Sequence, residues 1–131
     1  MLLLVGFNGS TESKAALALA RDHAAIFGAK VVVVASTGGG SRETPEDIDE
    51  ATENLLFAEQ FLGEKEIVCE CHQLARGVLP GEDLVRYATD NNVDLIYVGI
   101  EIKSRTQKFI IRSNAQHIIL KAPCPVVTVN R

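Results

Sequence analysis

Short apolar runs of strand length recur along this chain, and the segments between them carry apolar residues at helical spacing. Residues 2–6 (Leu-Leu-Leu-Val-Gly), 30–35 (Lys-Val-Val-Val-Val-Ala) and 95–98 (Leu-Ile-Tyr-Val) read as strands covered on both faces. Residues 66–74 alternate instead, with Ile67, Cys69 and Cys71 on one side and Glu70 and His72 on the other, which predicts a strand near an edge. Residues 126–129 form the last run, opened by Pro125, whose missing N–H suits an edge position. Strands that alternate with helices in this way predict an α/β fold: a parallel sheet with helices on both faces and right-handed crossovers. The 131 residues read as a single domain, 1–131, large enough to bury a core of its own.

Local signals place the helices. Ser10 is the expected N-cap of a helix over residues 11–27, with Glu12 in its first turn, an inward stripe of Ala16, Leu17, Ala20, Ala24 and Phe27, and Gly28 as its stop. Thr44 and Pro45 start a second helix whose stripe is Ile48, Ala51, Leu55, Ala58 and Leu62. Residues 77–81 read as a loop, and residues 82–91 as a short helix with Leu84, Val85 and Ala88 inward. Asn91 and Asn92 can take a left-handed stop. Ser113-Asn114-Ala115-Gln116 has the form of a capping box, which starts the last helix at Asn114, with Ala115, Ile118 and Ile119 inward and Pro123 as its end.

Composition bounds the function. Hydrophobic content of 47% with 23% charged residues describes a folded globular chain. A formal net charge of -4, with two Tyr, five Phe and no Trp, leaves neither a basic footprint nor a stacking platform for nucleic acid. No segment has the length of a membrane span or the pattern of a signal peptide, so a cytoplasmic location is expected. Three cysteines are not a disulfide framework. Cys69, Cys71 and His72 do not make a metal site either, because His72 points away from both thiols on a strand and no second ligand pair follows. The Gly-rich stretch 37–41 lacks the Lys-Ser/Thr of a Walker loop and reads as a connector.

One segment is locally cationic. From Gly99 to Gln116 the chain carries Lys103, Arg105, Lys108 and Arg112 against a single Glu101. A basic, Gly-opened loop between a buried strand and a helix start suits an anion, because helix N-termini present free N–H groups and the positive end of the dipole.

Three stretches together resemble the universal stress protein family, single-domain type, over essentially the whole chain. They are Asn8-Gly9-Ser10 leading into its Ala-rich helix, Val93-Asp94-Leu95-Ile96-Tyr97-Val98-Gly99, and Ala122-Pro123-Cys124-Pro125-Val126. The resemblance implies a Rossmann-like open sheet of five parallel strands in the order 3-2-1-4-5. It also implies a homodimer joined along the last strand, through Val126, Val127, Thr128 and Val129. In such a sheet a ligand sits beyond the carboxyl ends of the first and fourth strands, which here means Phe7 to Ser10 and Gly99 onward.

Nucleotide-binding members carry Gly-x-x-Gly-x9-Gly-Ser/Thr after the fourth strand and commonly an Asp after the first. This chain keeps Gly99 and Ser113, but has Ile102 and Arg112 at the other two glycine positions and Asn8 at the Asp position. A Cβ at either glycine position limits how closely backbone approaches phosphate. Lys103, Ser104 and Lys108 match a variant loop, Gly-x-x-x-Arg/Lys-Ser-x3-Lys, and Arg112 has the chemistry for a bidentate phosphate contact.

Two readings stay open. In the first the protein is a regulatory, stress-response protein binding ATP or another adenine nucleotide, with Mg²⁺ only as the nucleotide's companion. The nucleoside would lie near Asn8 and Val34, and the phosphates over Gly99, Lys103, Ser104, Lys108, Arg112, Ser113 and Asn114. In the second it is a dimeric interaction module that has lost the ligand. No Ser-His-Asp or paired-carboxylate spacing points to catalysis, and an ATPase activity would be slow. No catalytic residue and no resident metal is expected.

Overall fold

The computed structural model describes residues 1–36, 44–74, 79–101 and 113–130. The elements alternate along the chain: β1 (Leu2–Gly6), α1 (Thr11–Phe27), β2 (Lys30–Ser36), α2 (Pro45–Gly63), β3 (Cys69–Leu74), α3 (Pro80–Asp90), β4 (Leu95–Ile100), α4 (Ser113–Lys121) and β5 (Val126–Asn130). All strand pairs are parallel, in the order β3-β2-β1-β4-β5. The parallel sheet with helices on both faces is what the strand–helix alternation predicts, and the strand order is the one the family resemblance implies.

Strand periodicity divides the core into two layers. On one face Leu3, Val5, Val31, Val33 and Tyr97 pack with Ala16, Leu17, Ala20 and Ala24 of α1 and with Ala58 and Leu62 of α2. On the other face Leu4, Val32, Val34, Ile96 and Val98 pack with Leu84 and Ala88 of α3 and Ile118 of α4. Leu3, Leu4 and Val5 are each fully buried, which is why the first run contains no polar residue. Alanine lines the inner side of α1, so that helix lies close against the sheet.

Among the described residues few polar groups are buried; Ser13, Tyr97 and Asp83 have hydrogen-bond partners, whereas the buried Arg21 Nε has none. Tyr97 is fully buried in β4, and its Oη is hydrogen-bonded to His23 Nδ1 on α1 at 2.6 Å. Burial raises the Tyr97 pKa above that of a free phenol. Between α1 and α2, the rings of Phe7, Phe57 and Phe61 follow one another at centroid spacings of 5.9 Å. Arg21 stacks over Phe61 at 3.7 Å and Lys14 over Phe57 at 5.1 Å, so cations of α1 cover aromatic faces that α2 leaves partly open.

Several boundaries and faces differ from the sequence expectation. The third strand begins at Cys69 and not at 66, because Glu66 adopts φ 57° and turns the chain there. The fourth runs on to Ile100, and α4 starts one residue early, at Ser113. Pro80 and Gly81 belong to α3 and not to a loop, with Pro80 in the first turn, where its missing N–H costs nothing. Phe27 is 47% exposed, lying past the sheet and against the His23 ring. Ile48 and Ile119, each 42% exposed, flank their helices' buried lines, which run through Ala51, Ala58 and Leu62 in α2 and through Ala115 and Ile118 in α4. Three caps are as expected: Ser13 N–H donates to Ser10 Oγ, Gly28 takes the left-handed conformation, and Thr44 forms a full capping box with Asp47. Ser113, expected as an N-cap, is instead the first residue of α4.

Burial sets the contribution of α2 to stability. Leu62 has no exposed surface whereas Leu56, in the same helix, is 60% exposed. Leu62→Ala is expected to cost about 2–5 kcal/mol and Leu56→Ala less than about 0.5 kcal/mol. Urea unfolding should show the first midpoint falling and the second nearly unmoved, with similar m-values.

Candidate functional site

Five parallel strands all point their carboxyl ends the same way, so the helices that follow them begin at that edge of the sheet. Between the ends of β1 and β4 the edge opens into a crevice of about 300 Å³, at the lower end of the volumes of small-molecule sites. The starts of three helices reach it: Ser10 to Ser13 around the start of α1, Pro80 and Gly81 of α3, and Asn114 and Ala115 of α4. Apolar walls come from Val34, Leu84, Val98 and Ile118. A shallower cavity of about 370 Å³ adjoins it across Phe7, Asn8 and Ser36, and is closed on its far side by Asp47, Glu50 and Asn54.

The rim at β1 is held by a knot of local hydrogen bonds. Asn8 Oδ1 accepts from both the Ser10 N–H and the Ser10 hydroxyl, and Ser13 Oγ accepts from the Asn8 N–H while donating to Ser10 O. This Asx turn fixes the entry into α1. It also occupies the Asn8 oxygen, so the group Asn8 has to offer a ligand is its amide Nδ2, a donor.

The other rim is held by backbone contact. A Cβ on Gly99 would overlap the Glu12 carbonyl group and lie 2.6 Å from Ser13 N. Gly99 is therefore required by the passage of β4 beneath the first turn of α1, whatever the crevice binds. A Cβ on Gly81 would lie 2.8 Å from Asn114 O, and the Gly81 N–H donates to Asn114 Oδ1 at 3.2 Å. Leu79, the N-cap of α3, supplies no side-chain acceptor, and Asn114 satisfies one of that helix's open donors from α4.

Of the expected site residues, Asn8, Val34, Gly99 and Asn114 all line the crevice. Ser113 opens α4. Lys103, Ser104, Lys108 and Arg112, together with Ile102, fall in 102–112, outside the described residues. Sequence reasoning missed the wall residue Ser36 and its buried partner Asp83, which lines neither cavity. Ser36 ends β2 and lines both cavities. Its hydroxyl donates to Oδ2 of the fully buried Asp83 at 3.0 Å. Asp83 reads in sequence as an ordinary acid in a helix's first turn, and nothing local marks it as interior.

The cysteines lie elsewhere. Cys69 and Cys71 sit on β3, where burial pushes the Cys71 thiol up to about 12 and raises Cys69 as well. Cys124 is likewise raised by burial. These are protonated packing groups at neutral pH, not thiolate nucleophiles. Among the described residues no group of three or more His, Cys, Asp or Glu is arranged to hold a metal ion. No helix among them is long and apolar enough to cross a membrane.

An open doubly wound sheet with its crevice at the switch point between β1 and β4 defines the ligand-binding class of α/β domains. The family model of the Universal stress protein family matches residues 2–130, and the chain belongs to that family. A universal stress protein from Archaeoglobus fulgidus is similar at 35% identity, with 98% of each chain covered and a TM-score of 0.90. The structure of the universal stress protein from Archaeoglobus fulgidus in complex with dAMP matches at 32% identity, 98% and 97% coverage, and a TM-score of 0.83. An Arabidopsis thaliana universal stress protein family protein with AMP bound, 18% identical over 100% and 92% of the chains with a TM-score of 0.71, shares the fold. No curated protein matches the chain.

The glycine contacts make a direct expectation. Gly99→Ala should destabilise the domain by about 1–3 kcal/mol or more, because backbone has to move to admit the methyl group. Gly63→Ala, where the new Cβ meets nothing within 4 Å, should be neutral or stabilising by up to about 1 kcal/mol. Thermal melts of the two variants beside the native protein test the contrast.

Proposed function

We propose that this protein is a regulatory, stress-response protein that binds an adenine nucleotide in the crevice between β1 and β4. The observation that carries the reading is the convergence of Asn8, Val34, Gly99 and Asn114 on one cavity that three helix N-termini reach. Helix starts favour an anion, and the apolar wall of Val34 and Leu84 suits the flat face of a base. A relative 32% identical over nearly the whole of both chains is described in complex with dAMP, which supports the same ligand class here.

In the sequence a run of cations follows β4, the strand that ends at this edge. Lys103, Lys108 and Arg112 follow Gly99, and phosphate contacts from such side chains would compensate for the close backbone approach that a Cβ at 102 and 112 limits. Mg²⁺ would enter only with a polyphosphate. Binding is the function proposed, with turnover of ATP no more than slow.

AMP or ATP at a hundredfold excess over its Kd should stabilise the fold by about 2.7 kcal/mol through mass action. Differential scanning calorimetry should therefore show a rising Tm in the native protein and a smaller rise in Lys108→Ala. An unchanged Tm at millimolar nucleotide, together with no adenine nucleotide in the purified protein, would favour the ligand-free interaction module.

Assembly as a homodimer through β5 belongs to the same proposal. β5 ends the sheet, with Val126, Val127 and Val129 only half-buried and Thr128 exposed. Ile96 N–H donates to Pro125 O, and the parallel pattern then turns the Val127 N–H inward to β4 and the Thr128 N–H outward. An edge of this kind invites a second copy. Thr128→Pro removes an outward donor while sparing the β4 ladder. It should convert a dimer to a monomer in sedimentation analysis with the circular dichroism spectrum retained, and a native protein already monomeric would refute the assembly.

A further inference from the structure

Asp83 is the only charged side chain among the described residues that is completely buried, and a buried carboxylate is retained only where partners compensate its lost hydration. One of its partners is Ser36, whose Oγ–H donates to Asp83 Oδ2 at 3.0 Å. The geometry around this pair has a chemical consequence. A hydroxyl carries one hydrogen and two lone pairs, and a free serine can rotate to serve either a donor or an acceptor. An ionised carboxylate only accepts. With its hydrogen committed to Asp83, Ser36 turns lone pairs and no proton toward the crevice it lines.

The position of Ser36 indicates which part of a ligand meets it. It ends β2, two residues beyond Val34, and shares the crevice wall with Gly6 and Leu84. Val34 and Leu84 give this side of the cavity an apolar surface. The cation-rich segment follows β4 on the other side of β1, and the nearby Gly81 N–H is already given to Asn114. Phosphates belong on the β4 side and the base on the β2 side.

We infer that the Ser36–Asp83 pair is the specificity device of the crevice: a hydroxyl held as an acceptor, which selects a nucleobase carrying an exocyclic amino group over one carrying a carbonyl at that position. Ser36 contacts the ligand, and Asp83 is a positioning residue that acts through it. This inference rests on the nucleotide reading above and deepens it. A carbonyl brought against the fixed lone pairs would find no donor, and a polar atom left unpaired in a desolvated site is costly.

Adenosine and inosine monophosphates supply the test, since the amino group of one is replaced by a carbonyl in the other. Isothermal titration of the native protein should show the adenine nucleotide binding at least about tenfold more tightly, a ratio in keeping with loss of one buried hydrogen bond. Ser36→Ala should bring the ratio toward one, and Ser36→Thr, which keeps the hydroxyl, should restore the preference. Asp83→Asn frees the serine hydrogen when its amide turns toward Oγ, and should also lower the ratio. A merely structural anchor between β2 and α3 would shift stability without moving the ratio. Equal affinity of the native protein for the two nucleotides, or a preference that survives Ser36→Ala, overturns the inference and leaves nucleotide binding standing. If neither nucleotide binds, the nucleotide reading fails and this inference falls with it. Where Ser36→Ala does not fold, Ser36→Gly takes its place, and equal affinity of the native protein for the two nucleotides overturns the inference without any variant.

Discussion

The parallel pairing of β1 with β4 is the constraint on which the rest of the structure depends. Leu3 lies opposite Leu95, Leu4 opposite Ile96 and Val5 opposite Tyr97, and β1 pairs with β2 along its other edge. With β1 in the centre, the chain winds outward in one direction through β2 and β3 and in the other through β4 and β5. Helices α1 and α2 therefore cover one face, and α3 and α4 the other. Where the winding reverses, the helices that follow β1 and β4 lie on opposite faces of the sheet, and a crevice opens between the two strand ends. The cavity is thus a product of strand order, and its walls are helix starts because every strand runs the same way.

Closeness of packing gives that crevice its shape. α1 sits so near β4 that only glycine fits at position 99, and α3 meets α4 so closely that a side chain at 81 would strike the Asn114 backbone. Both contacts lie at the crevice wall. Small residues here permit rigid walls as well as close approach to a ligand. Gly99 would be needed in a family member that bound nothing, so its presence says less about phosphate binding than the loop pattern suggests. Ser36 and Asp83 are different in kind. Burial of a carboxylate is not needed to close the fold, since apolar side chains fill equivalent positions elsewhere in the same layer.

The fold was legible because its signals are local and agree with one another. Unbroken valine and leucine runs marked the central strands, and Ser10, Gly28, Thr44 and Asn92 marked helix ends by chemistry that acts within a few residues. Errors arose where an outcome depends on how far another element extends. Phe27 and Ile119 keep helical phase with buried neighbours, but the covering surface has run out beside them. Periodicity gives the direction of a face and not the edge of the surface it meets. The site was legible in the same measure. Asn8, Val34, Gly99 and Asn114 follow from strand ends and topology, whereas the Ser36–Asp83 contact joins residues 47 apart in sequence on different elements. Neither residue carries a local mark, and only the docking of α3 beside the end of β2 brings them together.

The substitution at position 8 bears on the electrostatics of the whole crevice. Glu12 and Glu101 already line it, and an Asp after β1 would add a third negative charge to a crevice proposed to hold an anion. Asn8 keeps the turn, since its Oδ1 accepts from Ser10 as a carboxylate would. It removes the charge and offers an amide donor in its place. Charges a few ångströms apart near a protein surface interact by several kcal/mol before screening, on the order of 4 kcal/mol at 4 Å. An anion therefore meets less repulsion with Asn8 than it would with Asp. That relief acts in the same direction as the four cations between Gly99 and Ser113. A Cβ at 102 and at 112 limits how closely the backbone N–H groups there can approach a phosphate. The neutral residue at 8 and the basic loop favour the same ligand through charge, which acts over longer distance and needs no such approach. Under the proposed binding, the departures from the family's loop would exchange one mode of anion recognition for another, and a bound nucleotide would be lost more steeply with salt than one held by close backbone approach.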